Sequence, residues 1–181
     1  MVLPIGLLMI EHRLIERMIS VMGKELERIR KDGTANPKFI DTATNFIRTY
    51  ADQCHHGKEE RILFRDLKKK KLQPTDKQIM DELIQEHVLG RKLTGELVKA
   101  KEKYEAGDST ALATITDVMQ QLVDFYPKHI KKEDKVFFKS AMTYLDKDEK
   151  DAMLEEEYEF DRGFIHVLYK NIVAQAEQVF K

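Results

Sequence analysis

Apolar residues recur along most of the chain at spacings of three and four, the period of one face of an α-helix. Turns or charged loops interrupt the pattern near residues 32–35, 72–74, 107–109 and 146–149. Asn36 and Pro37 are residue types that favour a helix N-cap and a first helical turn. The pattern therefore predicts five helices: residues 4–31, 37–68, 75–104 and 110–144, and a last helix that runs to the C terminus.

Five helices of this length predict an all-α fold. We expect an antiparallel up-down four-helix bundle over residues 1–145, with an additional C-terminal helix over residues 146–181 packed on it, in a single domain. The 181 residues are 42% hydrophobic, which is enough for a sizeable core.

Composition and charge exclude several classes of protein. The net charge of −1 gives no reason to expect nucleic acid or an anionic membrane as a partner. No apolar run approaches the roughly 18 residues of a membrane span, and the apolar start lacks the flanks of a signal peptide. The single cysteine, Cys54, fits a reducing compartment. The prediction is a cytoplasmic protein.

The predicted inward face of each of the first four helices carries a histidine, and two of these faces add a glutamate one turn later. A buried histidine is usually a hydrogen-bonded core residue, but an unpaired buried carboxylate costs several kcal/mol. A metal cluster would neutralise the carboxylates, and a bundle core can host one. Imidazole and carboxylate donors suit iron, with manganese or zinc as substitutes. The residues are His12, His56, Glu60, His87, His129 and Glu133.

Four segments of the chain resemble the hemerythrin-like, or HHE cation-binding, domain family. They read EHR at 11–13, HHGKEERILF at 55–64, QEH at 85–87 and YPKHIKKE at 126–133. The resemblance implies a four-helix bundle with two oxo- or hydroxo-bridged iron ions held by the six residues above. One position departs from the family, because invertebrate oxygen carriers have a further histidine where this chain has Arg91. That difference argues against simple reversible oxygen carriage.

The expected function is that of a non-haem di-iron protein that binds or reacts with O2, hydrogen peroxide or NO, in oxidative or nitrosative stress. Whether the protein turns over as an oxygen- or peroxide-reducing oxidoreductase stays open. The alternative is an oxygen, iron or redox sensor, or an iron-binding protein, without turnover. The small gaseous or peroxide ligand is the expected partner, and the sequence identifies no electron donor.

Four further residues lie near the predicted ligands in the sequence or on the last helix. One residue off the inward face, His55 is expected at the surface or in a second layer around the site. Glu59 is expected to be an exposed acid, with the alternative that it reaches a metal. A packing role is expected for Tyr50. Acidic neighbours in the sequence favour a solvent position for Glu157. The alternative for Glu157 is that the last helix covers the open end of the bundle and brings this acid to the metal site.

Overall fold

The described part of the chain folds into five helices joined by short connections. The computed structural model describes the backbone of residues 3–178 and the side chains of that stretch other than 165–167 and 169–178. The predicted all-α fold with an additional C-terminal helix is confirmed. The helices are α1 (Pro4–Asp32), α2 (residues 37–67), α3 (Pro74–Glu105), α4 (residues 111–144) and α5 (Lys147–Gln178).

The first four helices pack in a closed ring. α1 lies against α4, α4 against α3, α3 against α2, and the middle of α2 against α1. Gly33, at φ +67°, ends α1 in the left-handed conformation that glycine adopts without strain. Asn36 caps α2 by accepting a hydrogen bond from the Phe39 backbone N–H, as predicted. Among the described residues, no helix is long and apolar enough to cross a membrane.

Two helices contain π-helical stretches, in which backbone hydrogen bonds span five residues instead of four. α2 is α-helical over Pro37–Phe46 and Phe64–Leu67, with π-helix at Ile47–His56 and Glu59–Leu63 between them. α4 changes from α-helix to π-helix at Glu133–Phe137 and ends in a short 3₁₀ turn at Met142–Tyr144. π-Helical turns are rare in proteins, and those that do occur are often found at functional sites.

The wider helix changes which side of α2 faces inward. Glu60 was predicted to face inward on α2, but it is only partly buried. A stripe with uniform steps of four drifts around an α-helix of 3.6 residues per turn, and a wider turn keeps it on one face. The buried stripe is Ile47, Ala51, His55, Glu59, Leu63 and Leu67.

Two apolar clusters fill the bundle, one on either side of a buried polar layer. On α1, Leu8 belongs to the first cluster and Ile15 to the second, with buried His12 between them. On α3, Leu83 and Leu93 flank the layer in the same way. The polar layer is therefore sealed from water by apolar packing above and below it.

Helix α5 packs across α1 and the second π-helical stretch of α2. Glu157 on this helix is fully buried, so the expectation that it lies in solvent is wrong. Neither of its carboxylate oxygens has a hydrogen-bond partner among the described residues. Burial raises the pKa of Glu157 to about 8, although the nearby Lys58 ammonium opposes the increase.

The contact between α5 and α2 depends on the absence of a side chain at Gly57. A Cβ on Gly57 would lie 2.9 Å from Cζ of Phe160, closer than real Cβ contacts. We expect Gly57→Ala to lower the free energy of unfolding by about 1–2 kcal/mol, because overpacking outweighs the gain in helix propensity. Urea unfolding measures the change.

The matched control for this prediction is Gly95→Ala, since a Cβ there meets nothing within 4 Å. We expect that variant to be more stable than the wild type by about 0.5–1 kcal/mol. Equal stabilisation by the two substitutions would contradict the tight contact at Gly57.

The buried carboxyl of Glu157 predicts a pH-dependent loss of stability in metal-free protein. The folded-state pKa of about 8 exceeds the ordinary 4.5. The unfolded chain therefore loses this proton first, and the folded state is penalised increasingly as pH rises from 4.5 to 8. We expect Glu157→Gln to unfold like the wild type near pH 4.5 and to be about 4 kcal/mol more stable at pH 8.

The measurement is urea unfolding at both pH values with a chelator present. Glu155→Gln, on an exposed position of the same helix, is the control and should show no such pH-dependent gain. A Glu157→Gln variant whose stability follows the wild type at every pH would show that this carboxyl is not desolvated.

Candidate metal centre

The polar layer contains five histidines and two glutamates from the four bundle helices, each at most 2% exposed. Their ligand atoms form two groups in which all atoms lie within 4.8 Å of one another. One group has three imidazoles, from His56, His87 and His129. The other has two imidazoles and both carboxylates, from His12, His55, Glu59 and Glu133.

The two carboxylates lie between the two groups. Glu133 places Oε2 3.2 Å from Nε2 of His12 and Oε1 3.4 Å from Nε2 of His129. Glu59 places Oε1 3.5 Å from Nε2 of His55 and Oε2 3.3 Å from Nε2 of His87. Each carboxylate thus directs one oxygen to either group, which is the arrangement that bridges a pair of ions.

The inward-facing atoms of this layer are without hydrogen bonds. Among the described residues, both oxygens of Glu59 and of Glu133 are buried and unpartnered, and so is Nε2 of four of the histidines. Buried polar atoms in native proteins are nearly always hydrogen-bonded, and leaving so many unpaired would be costly. Bound cations would use all of them at once, so the layer has the chemistry of a metal site.

The outward nitrogens of four histidines are fixed by acids. A carboxylate can only accept a hydrogen bond, so Nδ1 of each of these histidines carries the proton and leaves Nε2 free for a metal. Each hydrogen bond crosses to the preceding helix of the ring. The pairs are His12–Asp134 at 2.8 Å, His55–Glu11 at 2.9 Å, His87–Glu60 at 2.8 Å and His129–Glu86 at 2.7 Å.

Each of these four acids is also paired with a cation, and the cation comes from the same helix as the histidine. The charge of the outer acids is therefore neutralised locally and does not compensate the two inner glutamates. His56 differs, because its Nδ1 lies 3.5 Å from an oxygen of Asp52, which pairs with Arg91. The cation pairs are Arg13–Asp134, Lys58–Glu11, Arg91–Glu60 and Lys132–Glu86.

Protons partly replace the missing positive charge in the metal-free protein. Burial alone would lower the pKa of His12, but Asp134 and Glu133 raise it to about 10. Burial alone would also lower the pKa of His87. The carboxylates of Glu133, Glu59 and Glu60 outweigh this effect and raise the pKa of His87 to about 11. A metal ion needs neutral imidazoles, so binding would release these protons and would be favoured by rising pH.

The structure brings together five of the six predicted site residues: His12, His56, His87, His129 and Glu133. The sixth, Glu60, points outward, with its side chain 31% exposed. Partial burial would raise the pKa of the Glu60 carboxyl, but hydrogen bonds from His87 and Arg91 lower this pKa to about 2. Glu60 thus supports a ligand histidine from outside and is not part of either group.

The predictions for two neighbouring residues are wrong. His55 was expected at the surface or in a second layer around the site and Glu59 as an exposed acid, yet both are buried in the layer itself. An internal repeat in the sequence could have identified them, because HHGKEE at 55–60 aligns with HIKKED at 129–134 and shares its first histidine, its lysine before the acids and its first glutamate. In that alignment His55 and Glu59 correspond to His129 and Glu133. His56 corresponds to Ile130 and is the added ligand.

A third group of possible ligand atoms lies outside the layer. Glu11, Cys54 and Asp161 approach one another there, but the Lys58 ammonium pairs with Glu11 and lies 2.6 Å from Oδ1 of Asp161. Burial raises the pKa of Cys54 to about 12, so its thiol is not an anionic ligand. The Lys58 ammonium thus occupies the position between these two carboxylates that a metal ion would need.

Comparison with known proteins agrees with this geometry. The model of the hemerythrin HHE cation binding domain matches residues 3–163. Uncharacterized proteins of Mycobacterium tuberculosis and Mycobacterium bovis are 26% identical over 176 residues, covering 96% of this chain and 68% of theirs. No solved structure matches. The family match over nearly the whole chain shows that this protein belongs to the hemerythrin HHE cation-binding domain family.

Proposed function

We propose that the protein binds two iron ions in the polar layer and reacts there with a small oxidant: O2, hydrogen peroxide or NO. The convergence of unpartnered Nε2 and carboxylate atoms on two adjacent positions carries the proposal. His56, His87 and His129 would hold one ion, and His12 and His55 the other. Glu59 and Glu133 would bridge them.

The donor count supports a reactive pair. With both glutamates bridging, one ion would have three imidazoles and two carboxylate oxygens, and the other two imidazoles and two oxygens. Iron commonly takes about six ligands, so one exchangeable position would remain for a small molecule even with a shared oxo or hydroxo group. The predicted set had four imidazoles, and His55 of α2 supplies a fifth. The site therefore has five nitrogen ligands although position 91 is an arginine. When bound, the metal pair supplies the redox chemistry.

The protein residues would contribute positioning and exclusion of water. The apolar clusters above and below the layer keep bulk solvent from the ligands. The outer carboxylates fix the orientation and tautomer of the histidines, and such partners affect metal affinity strongly. The single cysteine is a buried thiol, which supports our placing the protein in a reducing compartment such as the cytoplasm. Reaction with O2, peroxide or NO would give the protein a role in oxidative or nitrosative stress.

Metal analysis tests the proposed metal content. We expect protein produced with ample iron to carry about two irons per chain and, when oxidised, to show an oxo-to-iron charge-transfer band. Manganese or zinc could substitute when iron is scarce. Reoxidation of the reduced protein by O2, peroxide and NO, followed by absorption, ranks the three oxidants. Less than about half an equivalent of any transition metal would contradict the proposal.

A pair of adjacent substitutions separates the two roles assigned to the acids of α2. We expect Glu59→Gln to lose at least one metal ion, because a neutral amide is a poor bridge between two cations. Glu60→Gln should keep both ions while the affinity falls about 10-fold, since it only supports His87 from outside. Metal content and chelator competition measure the two effects. Loss of metal in Glu60→Gln with full retention in Glu59→Gln would reverse the assignment.

A further inference from the structure

A cavity of about 280 Å³ lies between α2, α3 and α4 and reaches the polar layer. The imidazole of His56, a member of the three-histidine group, forms part of its wall. Gly90, Thr94 and Tyr126 line the side formed by α3 and α4, and Asp52 and Arg91 lie on the side where α2 meets α3. This volume would accommodate a molecule of several heavy atoms.

The side of the polar layer that faces α5 is closed. His12 stacks on Phe138 with ring centroids 5.7 Å apart, and Phe160 of α5 covers Gly57. Lys58 and Glu157 are fully buried in the same region. A small molecule that approached the two-histidine group from there would have to displace packed side chains and separate the Lys58 ion pairs.

Two small residues on α3 keep the cavity at its size. Gly90 has no side chain, and a Cβ there would lie 3.4 Å from Cε1 of Phe125 and 3.9 Å from the Tyr126 hydroxyl oxygen. Thr94, one turn later, directs its hydroxyl to the Gly90 carbonyl at 2.8 Å. A larger side chain at either position would grow into the space beside His56.

Polar groups in the wall indicate the chemistry of an occupant. Arg48 and Arg91 line the cavity, and Arg91 is held by Asp52 at 2.7 Å and by Glu60 at 2.6 Å. Guanidinium groups donate hydrogen bonds and favour small anions or molecules with oxygen or nitrogen acceptors. The remaining wall is largely hydrocarbon, which is typical of a binding pocket with a few orienting polar groups.

We propose that this cavity is the access route and holding site for the small molecule that reacts at the metal centre, and that Gly90 and Thr94 set its size. The proposal rests on the proposed function. The class of ligand that the wall fits is a small hydrogen-bond acceptor, such as peroxide or azide. It would enter the polar layer through the wall that contains His56.

Substitution of Gly90 tests the route with azide as the probe. We expect Gly90→Leu to slow azide binding to the oxidised iron protein at least about tenfold in stopped-flow absorption, because the leucine fills the cavity. Iron content and the azide-free spectrum should be unchanged. Gly95→Leu on the same helix is the matched control, since a Cβ there has no neighbour within 4 Å. It should bind azide at the wild-type rate.

A second variant and a metal-free measurement keep the two proposals separable. Thr94→Leu should slow azide binding to the same extent, and it provides the test if Gly90→Leu does not fold. In chelator-treated protein, we expect diethylpyrocarbonate to modify His56, and Gly90→Leu or Thr94→Leu to protect it while Gly95→Leu does not. Peptide mass spectrometry measures the modification.

Failure of the access route and failure of iron binding give different results. If the wild type binds iron and azide, but both leucine variants keep the wild-type azide rate and the wild-type modification of His56, the access route is overturned. If the wild type takes up no iron while His56 is selectively modified and protected as expected, the proposed function fails and the route stands. Selective modification of His12 instead would place the opening on the α5 side.

Discussion

Uncompensated negative charge in the middle of the bundle is the constraint on which the rest of the structure depends. Glu59 and Glu133 are fully buried, and their four oxygens are unpartnered. The adjacent imidazoles supply nitrogen atoms but, when neutral, no charge. Two apolar clusters can flank such a layer without loss only if something inside it provides positive charge. Cations bound between the imidazoles meet that requirement, and protons on His12 and His87 meet part of it in their absence.

The layer also organises the packing of the helices. Four times around the ring, a histidine and a cation on one helix hold the same acid on the preceding helix. These contacts orient ligands and connect helices with one set of side chains. Lys58 extends the pattern to α5 through Asp161, which explains how a helix outside the ring becomes attached to the site.

The sequence predicts much of this arrangement, because α1 and α3 keep the ordinary helical period through the layer and α4 leaves it only at Glu133. His12, His87 and His129 lie on inward faces as expected, and so does Glu133. On α2 the prediction assumed 3.6 residues per turn, and the π-helical stretches invalidate that assumption. Glu60 was consequently chosen where Glu59 faces inward. No local sequence pattern predicts a π-helix. The internal repeat that aligns residues 55–60 with 129–134 does indicate the correct inward residues, because it pairs His55 and Glu59 with His129 and Glu133.

Long-range packing explains the other difference. A run of acids around Glu157 has the composition of a solvated surface, and only the docking of α5 on α1 and α2 buries this one residue. Sequence periodicity reports which face of a helix is apolar, but it does not report which neighbour will cover that face. Burial of an isolated acid is therefore visible only in the assembled fold.

The histidine at position 56 makes the two halves of an otherwise repeated motif unequal, since its counterpart in the second half is Ile130. Three imidazoles consequently lie on one side of the layer and two on the other. Ions with different ligand sets have different reduction potentials. If metal ions occupy this layer, the three-imidazole side and the two-imidazole side would therefore hold them unequally, and the two positions would not be interchangeable.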